Sequence, residues 1–398
     1  MSNAEYNEKS EIQKAVEWYC RDYLKIIGHE KKFKKDKSLT LENFVRSMEN
    51  MPTYPETIEL KTPIKVEWHI TKNCNLNCSF CYACAMNGSS EDATTDDMLA
   101  VIEEMHRNNV LEVQIEGGEP FLRKDLSVFI EKLKRFNIRI RLLTNGTIIN
   151  YEILKAVKKH FTRNDVLQIS MHGFSEKNHD EIVGMSGSYK KLNEFLRETE
   201  KLEMPIRLSS VISRKNINEL DKIINFCKKY KNIESFVAQP IIPVGRGNLS
   251  EVVSSQELLL KYYSVRKLGD GLILSLLLGH AFDIPEFASY IIENGKKEER
   301  IYCSAARSRV HVDEKFDVYP CHFLVYPEFL LGNLKKNTLL EIWKNDHSNK
   351  VRKMSKTNSA CSICKLNKNC TKKGLCTSYL NGGVKAQPIN CFVEIGGS

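Results

Sequence analysis

From residue 64 to about 240, short apolar runs alternate with amphipathic stretches, and this alternation restricts the fold more than any other feature of the chain. Strands are expected at residues 64–71, 111–116, 138–144, 166–172, 206–212 and 233–239. Helical patterns fall between them at 95–107, 126–135, 151–159, 189–202 and 217–230. In the first, Thr94 or Thr95 caps the opening turn and Asp96 and Asp97 suit its positive end, while Met98, Val101, Ile102 and Met105 form one stripe. Strands alternating with helices imply parallel βα units that wind right-handed. Six units are fewer than the eight of a closed barrel. The expected class is therefore α/β, a partial (β/α)6 TIM-like barrel with ligands at the C-terminal ends of its strands.

The flanks read differently. Residues 1–60 form an expected N-terminal helical extension, with patterns at 12–27 and 38–49. The barrel and its following helices (255–268 and 285–294) occupy residues 61–298. Residues 299–398 form a cysteine-rich segment, in which 309–313 and 316–320 alternate around Glu314-Lys315 as a hairpin would, and 339–344 reads as a short helix.

Composition narrows the class further. Charged residues are 27% and no apolar run approaches the roughly 20 residues a bilayer span needs, so no membrane partner is expected. The polar N-terminus lacks a secretory h-region, which makes a cytoplasmic location the expectation. The net charge of +9 is spread along the chain rather than gathered on one face, which argues against nucleic acid. An acidic peptide or an anionic cofactor remains a candidate partner.

Thirteen cysteines in such a chain read as metal or redox groups rather than disulfides. Four lie between positions 74 and 84, and seven between 303 and 391. Cys74, Cys78 and Cys81 follow the first strand with three and two residues between them. Three thiolates on one tight loop can hold a cuboidal iron–sulfur cluster and leave one iron open. Zinc is the competing reading, with Cys84 as its fourth ligand.

The loop CNLNCSFCY, with Tyr82 after its third cysteine, resembles the signature of the radical SAM superfamily. The resemblance continues in Gly117, Gly118, Glu119 and Pro120 after the second strand and in Asn145-Gly146 after the third. It also takes in Ser170 on the fourth strand and Ser209 or Ser210 on the fifth. It implies a 4Fe–4S cluster on the three cysteines that binds S-adenosylmethionine, with Tyr82, Gly117–Pro120, Asn145, Ser170 and Ser209 around the cofactor. Reductive cleavage would yield a 5′-deoxyadenosyl radical that takes hydrogen from the substrate. Where relatives often read Ser-Ile-Asp-Gly, this chain has Ser170-Met171-His172-Gly173. His172 is therefore either a proton donor or acceptor near the substrate or a packed, hydrogen-bonded histidine.

Cys303, Cys321, Cys361, Cys364, Cys370, Cys376 and Cys391 resemble the SPASM domain, although Phe316 stands where relatives have glycine and five residues instead of three lie between Cys370 and Cys376. The resemblance implies a first auxiliary 4Fe–4S cluster on Cys303, Cys321 and Cys376. It implies a second on Cys361, Cys364, Cys370 and Cys391, three clusters in all. A zinc-ribbon-like tail is the alternative. SPASM relatives mostly modify peptides or proteins, so the resemblance implies a maturase of a ribosomally made peptide. It also implies an external electron donor of the flavodoxin or ferredoxin type and a separate leader-recognition protein. Sulfatase-maturase-like protein modification, small-molecule cofactor synthesis and a non-catalytic electron carrier are the alternatives.

Overall fold

A computed structural model describes residues 60–86, 88, 91–269, 272–276, 301–354 and 375–380, together with 11, 14–15 and 53–55. Apart from residues 14–15, which are helical, the helices expected in residues 1–60 lie outside the described residues, as do the helix at 285–294 and Cys361, Cys364, Cys370 and Cys391.

Seven strands run parallel and pair in chain order: β1 (Lys65–His69), β2 (Glu112–Glu116), β3 (Arg139–Thr144), β4 (Val166–Ser170), β5 (Ile206–Ile212), β6 (Ile233–Pro240) and β7 (Ile273–Leu276). The first six match the expected alternation. β7 is an addition, a four-residue strand too short to carry a period of its own. On the other edge β8 (Arg309–Val312) pairs parallel with β1, and β9 (Asp317–Tyr319) and β10 (Gly332–Asn333) continue antiparallel, making a ten-stranded sheet. β8 and β9 are the expected hairpin, and they extend the barrel sheet itself.

Helices α1 (Thr95–Arg107), α2 (Leu126–Arg135), α3 (Tyr151–His160), α4 (Glu176–Val183), α5 (Ser188–Lys201), α6 (Leu220–Cys227) and α7 (Ser255–Val265) follow the strands. Thr94 caps α1 by accepting from the Asp97 N–H, and the Met98–Met105 stripe is buried. α4 is a helix the sequence pattern had not separated from the loop before α5. Ser175 caps its start, and Gly184 ends it at φ 69°.

Strand alternation sorts the two faces of the sheet. In β1, Val66 and Trp68 join the hydrophobic core, with Phe129 of α2 centred 6.2 Å from Trp68. Each such side chain stabilises by roughly 1.5–3 kcal/mol when fully buried. Lys65, Glu67 and His69 therefore share the opposite face, which is polar although Glu67 and His69 are buried. In the turn between β8 and β9, Phe316 takes φ 67° with its ring buried, which explains why glycine suits that corner. No helix among the described residues is long and apolar enough to cross a membrane.

Candidate active site

The chain leaving β1 carries Cys74, Cys78 and Cys81, all free thiols, into a small apolar cluster with Leu76, Ala85 and Val183. Main-chain bonds hold this loop on several sides. The Asn77 and Ser79 N–H groups donate to the carbonyls of Val183 and Ile182 at the end of α4, both at 3.0 Å. The Arg246 N–H donates to the Cys81 carbonyl at 3.0 Å, and its guanidinium donates to the carbonyls of Cys78 (2.8 Å) and Ala85 (3.0 Å). Burial pushes the Cys74 thiol up to about 11 and raises Cys78 as well, and the neighbouring cysteines add to both shifts. Buried thiols such as Cys74 and Cys78 ionise together only when a cationic centre binds them, so the donor set fits a thiolate-held cluster. The Cys84 thiol lies 3.9 Å from the Cys81 carbonyl, as a donor to the main chain.

Gly117–Pro120 lies against the same segment. The Gly118 N–H donates to the Thr71 carbonyl and the Glu119 N–H to the Asn73 carbonyl, both at 2.8 Å. A Cβ on Gly118 would stand 1.9 Å from the Asn73 carbonyl oxygen, so only glycine permits this approach. The Glu119 carboxylate accepts from Phe121 N–H (3.0 Å), Thr144 Oγ1 (2.7 Å) and Asn145 N–H (2.7 Å). Burial raises its pKa to about 7 despite those bonds. Glu119 thus ties the loop after β2 to the end of β3. The Asn145 side chain in turn donates to Asn75 at 2.9 Å, inside the cysteine loop.

The Radical SAM superfamily model matches residues 68–227, and that of an iron–sulfur cluster-binding domain, SPASM, matches 303–371. The chain is a radical SAM enzyme with a SPASM domain. It is 24% identical over 320 residues to an AdoMet-dependent heme synthase of Methanosarcina barkeri, covering 77% of this chain and 90% of that one. It is 27% identical over 335 residues to the mycofactocin maturase MftC of Mycolicibacterium smegmatis, covering 80% of each. Streptococcus suis SuiB, crystallised with its precursor peptide SuiA, superposes with a TM-score of 0.68 at 19% identity, covering 84% of this chain and 77% of that one. The two domains imply 4Fe–4S clusters and S-adenosylmethionine.

In this radical SAM enzyme the remaining polar residues lie as follows. Ser170, the last residue of β4, pairs in register with Ser209 in the middle of β5. Ser210, the next residue, is buried with no hydrogen-bond partner for its hydroxyl. The Tyr82 hydroxyl meets His69 Nε2 at 2.9 Å, and its ring packs beside His322 and Phe323 of the SPASM segment. His172 is buried, with its Nδ1 accepting from Val211 N–H at 3.2 Å and its ring edge-on to Phe80 at 4.5 Å. Its proton therefore sits on Nε2. Burial, helped by His179, lowers its pKa to about 3.

Cys303, Cys321 and Cys376 form no disulfide, and the Cys321 thiol feels both of the others. Burial raises Cys321 well above its ordinary value. Around it stand charged groups: Glu67 pairs with Arg309 at 2.6 Å and with His322 Nδ1 at 2.7 Å. Sequence reasoning missed Arg246, Thr144 and Asn75, and also Arg123, which donates to the carbonyls of Ile70 and Ala93. Each works through a bond to a distant segment, which leaves no trace in local spacing.

Proposed function

We propose that this radical SAM SPASM enzyme modifies a ribosomally made precursor peptide, by crosslinking or oxidising a residue within it. The observation that carries the reading is the likeness to mycofactocin maturase along 80% of both chains. The fold of SuiB, a protein crystallised with a precursor peptide, supports it. Cys74, Cys78 and Cys81 would hold the radical-forming cluster, Cys303, Cys321 and Cys376 the first auxiliary cluster, and Cys361, Cys364, Cys370 and Cys391 the second. When bound, the first cluster and S-adenosylmethionine supply a radical able to take hydrogen from an unactivated carbon.

The chain's own residues position and shield that chemistry. Gly117, Gly118 and Pro120 offer close main-chain approach, and Glu119 and Asn145 keep the turns rigid against the cysteine loop. Tyr82, Ser170 and Ser209 line the cofactor's surroundings. His172 serves as a neutral donor through Nε2, because its low pKa disqualifies it as a base at neutral pH. A flavodoxin- or ferredoxin-type donor would supply electrons, a separate protein would recognise the leader, and the setting would be the cytoplasm.

The test is anaerobic reconstitution with iron and sulfide counts. Dithionite and S-adenosylmethionine are then added with short peptides encoded beside the gene. Expected are 5′-deoxyadenosine and a peptide mass change, both lost in Cys78→Ala. A fully loaded protein that makes no 5′-deoxyadenosine would sink the reading. The likeness to the heme synthase supports a second reading, which turnover of an iron porphyrin and not of any peptide would establish.

A further inference from the structure

On the polar face of the sheet, β1, β2 and β8 bring His69, Glu116 and His311 together, all three buried, with one ligand atom from each within 4.8 Å of the others. The rings of His69 and His311 meet edge-on with centroids 4.3 Å apart. His69 Nε2 lies 3.8 Å from Glu116 Oε1. The function proposed above uses none of these three side chains.

Two deficits mark the spot. His311 is 0% exposed, and neither of its ring nitrogens makes a well-formed hydrogen bond, although the Glu67 main chain lies close; Glu116 Oε1 lacks one too, with the Tyr82 hydroxyl near that carboxylate. A buried polar atom left bare is costly, because it has given up its bonds to water for nothing. The second deficit is charge. Glu67 is answered by Arg309 at 2.6 Å, whereas among the described residues Glu116 has ion-pair contacts at 3.8 Å with the imidazoles of His69 and His322, and Lys65 acts on it from farther off. Burial lowers the pKa of His69 and of His311, so both are neutral, the form that binds metals. Gln114 donates to Glu116 Oε2 at 2.9 Å, which steadies the carboxylate. The neighbouring Glu67–Cys321–His322 group shares its thiol with the proposed auxiliary cluster and is left to it.

We propose that His69, Glu116 and His311 bind one divalent transition-metal ion, distinct from every iron–sulfur cluster of the chain. Two imidazoles and a carboxylate suit Zn2+ and its neighbours, and three protein ligands leave a position open for water or a substrate oxygen. The ion answers one of the two bare His311 nitrogens and the bare Oε1 of Glu116. It also fastens β8 of the SPASM segment to the first two barrel strands.

Reconstituted full-length enzyme is stripped with EDTA and titrated anaerobically with Co2+. Iron, sulfide, cobalt and zinc are then counted. Expected is one Co2+ per chain with visible d–d absorption, displaced by Zn2+, with iron and sulfide unchanged. His311→Gln and Glu116→Gln should each bind at least tenfold less Co2+ at unchanged iron and sulfide. The triple variant Cys74→Ala, Cys78→Ala, Cys81→Ala should keep its Co2+, which separates this site from the radical-forming cluster. Wild-type uptake no greater than that of both glutamine variants overturns the proposal, as does loss of Co2+ in the triple cysteine variant.

Discussion

Around Cys74, Cys78 and Cys81 the supporting groups are mostly peptide units: the end of α4, the Gly118 turn and the carbonyls that Arg246 reaches. Around Cys321 they are charged side chains, with Glu67 at the centre of a network joining Arg309 and His322. Main-chain bracing depends on shape, so it fails when a backbone is pushed away and tolerates most changes of charge. Side-chain bracing depends on balance, so it fails when one charge is removed and the others stay buried. The first arrangement suits a loop that must present three thiols in fixed order. The second suits thiols drawn from far-apart parts of the chain, where no continuous stretch of backbone can hold them.

Removing one charge from the second network should have the largest effect. Burial disfavours the Glu67 carboxylate, but Arg309, His322 and Lys65 outweigh it and hold its pKa well below the usual range. Glu67→Gln should cost about 3–5 kcal/mol in urea unfolding, with iron bound through Cys74, Cys78 and Cys81 retained in the fraction that folds. Equal loss of iron from both thiol sets would erase the contrast. Gly118→Ala attacks the first region, where the new Cβ meets the Asn73 carbonyl. It should cost about 3 kcal/mol and lower 5′-deoxyadenosine formation at least about tenfold, while the Glu67 network keeps its stability. Arg246→Met removes charge-assisted bonds to two carbonyls and should cost about 2 kcal/mol, with cluster loading falling before global unfolding does.

A fourth effect is one of pH. Burial depresses His172 to about 3 and His179 to about 4, below the 6.5 of an unfolded chain. The unfolded state then binds more protons as pH falls. Their contribution is complete above pH 6.5 and is lost between 6.5 and about 3, at about 1.4 kcal/mol per pH unit for each imidazole. Urea midpoints at pH 7 and pH 5 measure the slope. His172→Gln should reduce it by one imidazole's share, and an unchanged slope would place the acid sensitivity elsewhere.

What could be read in advance follows the range of each interaction. The six strands and α1 were legible because alternation and capping act within a dozen residues, as the Thr94 cap and its buried stripe confirm. The grouping of Cys74, Cys78 and Cys81 was legible for the same reason. β7 was too short to show a period, and α4 lay inside a stretch read as a loop. β8 was expected as half of a hairpin, but its pairing with β1 joins residues over 240 positions apart in the register Arg309 to Lys65. Arg246 and the trio of His69, Glu116 and His311 are likewise products of long-range assembly. Phe316 was noted as a departure from the usual glycine, and only its φ of 67° gives the departure a physical meaning.

The pairing of β8 with β1 also orders the assembly of the chain. During synthesis β1 leaves the ribosome long before β8, and until β8 arrives its outer edge carries unpaired peptide groups beside Glu67 and His69. The nascent barrel is then a template for the wrong strand, and closing so long a loop is slow compared with forming local helices. A chain cut after β7 should consequently aggregate rather than yield a soluble barrel, and supplying residues 301–354 in trans should rescue it poorly.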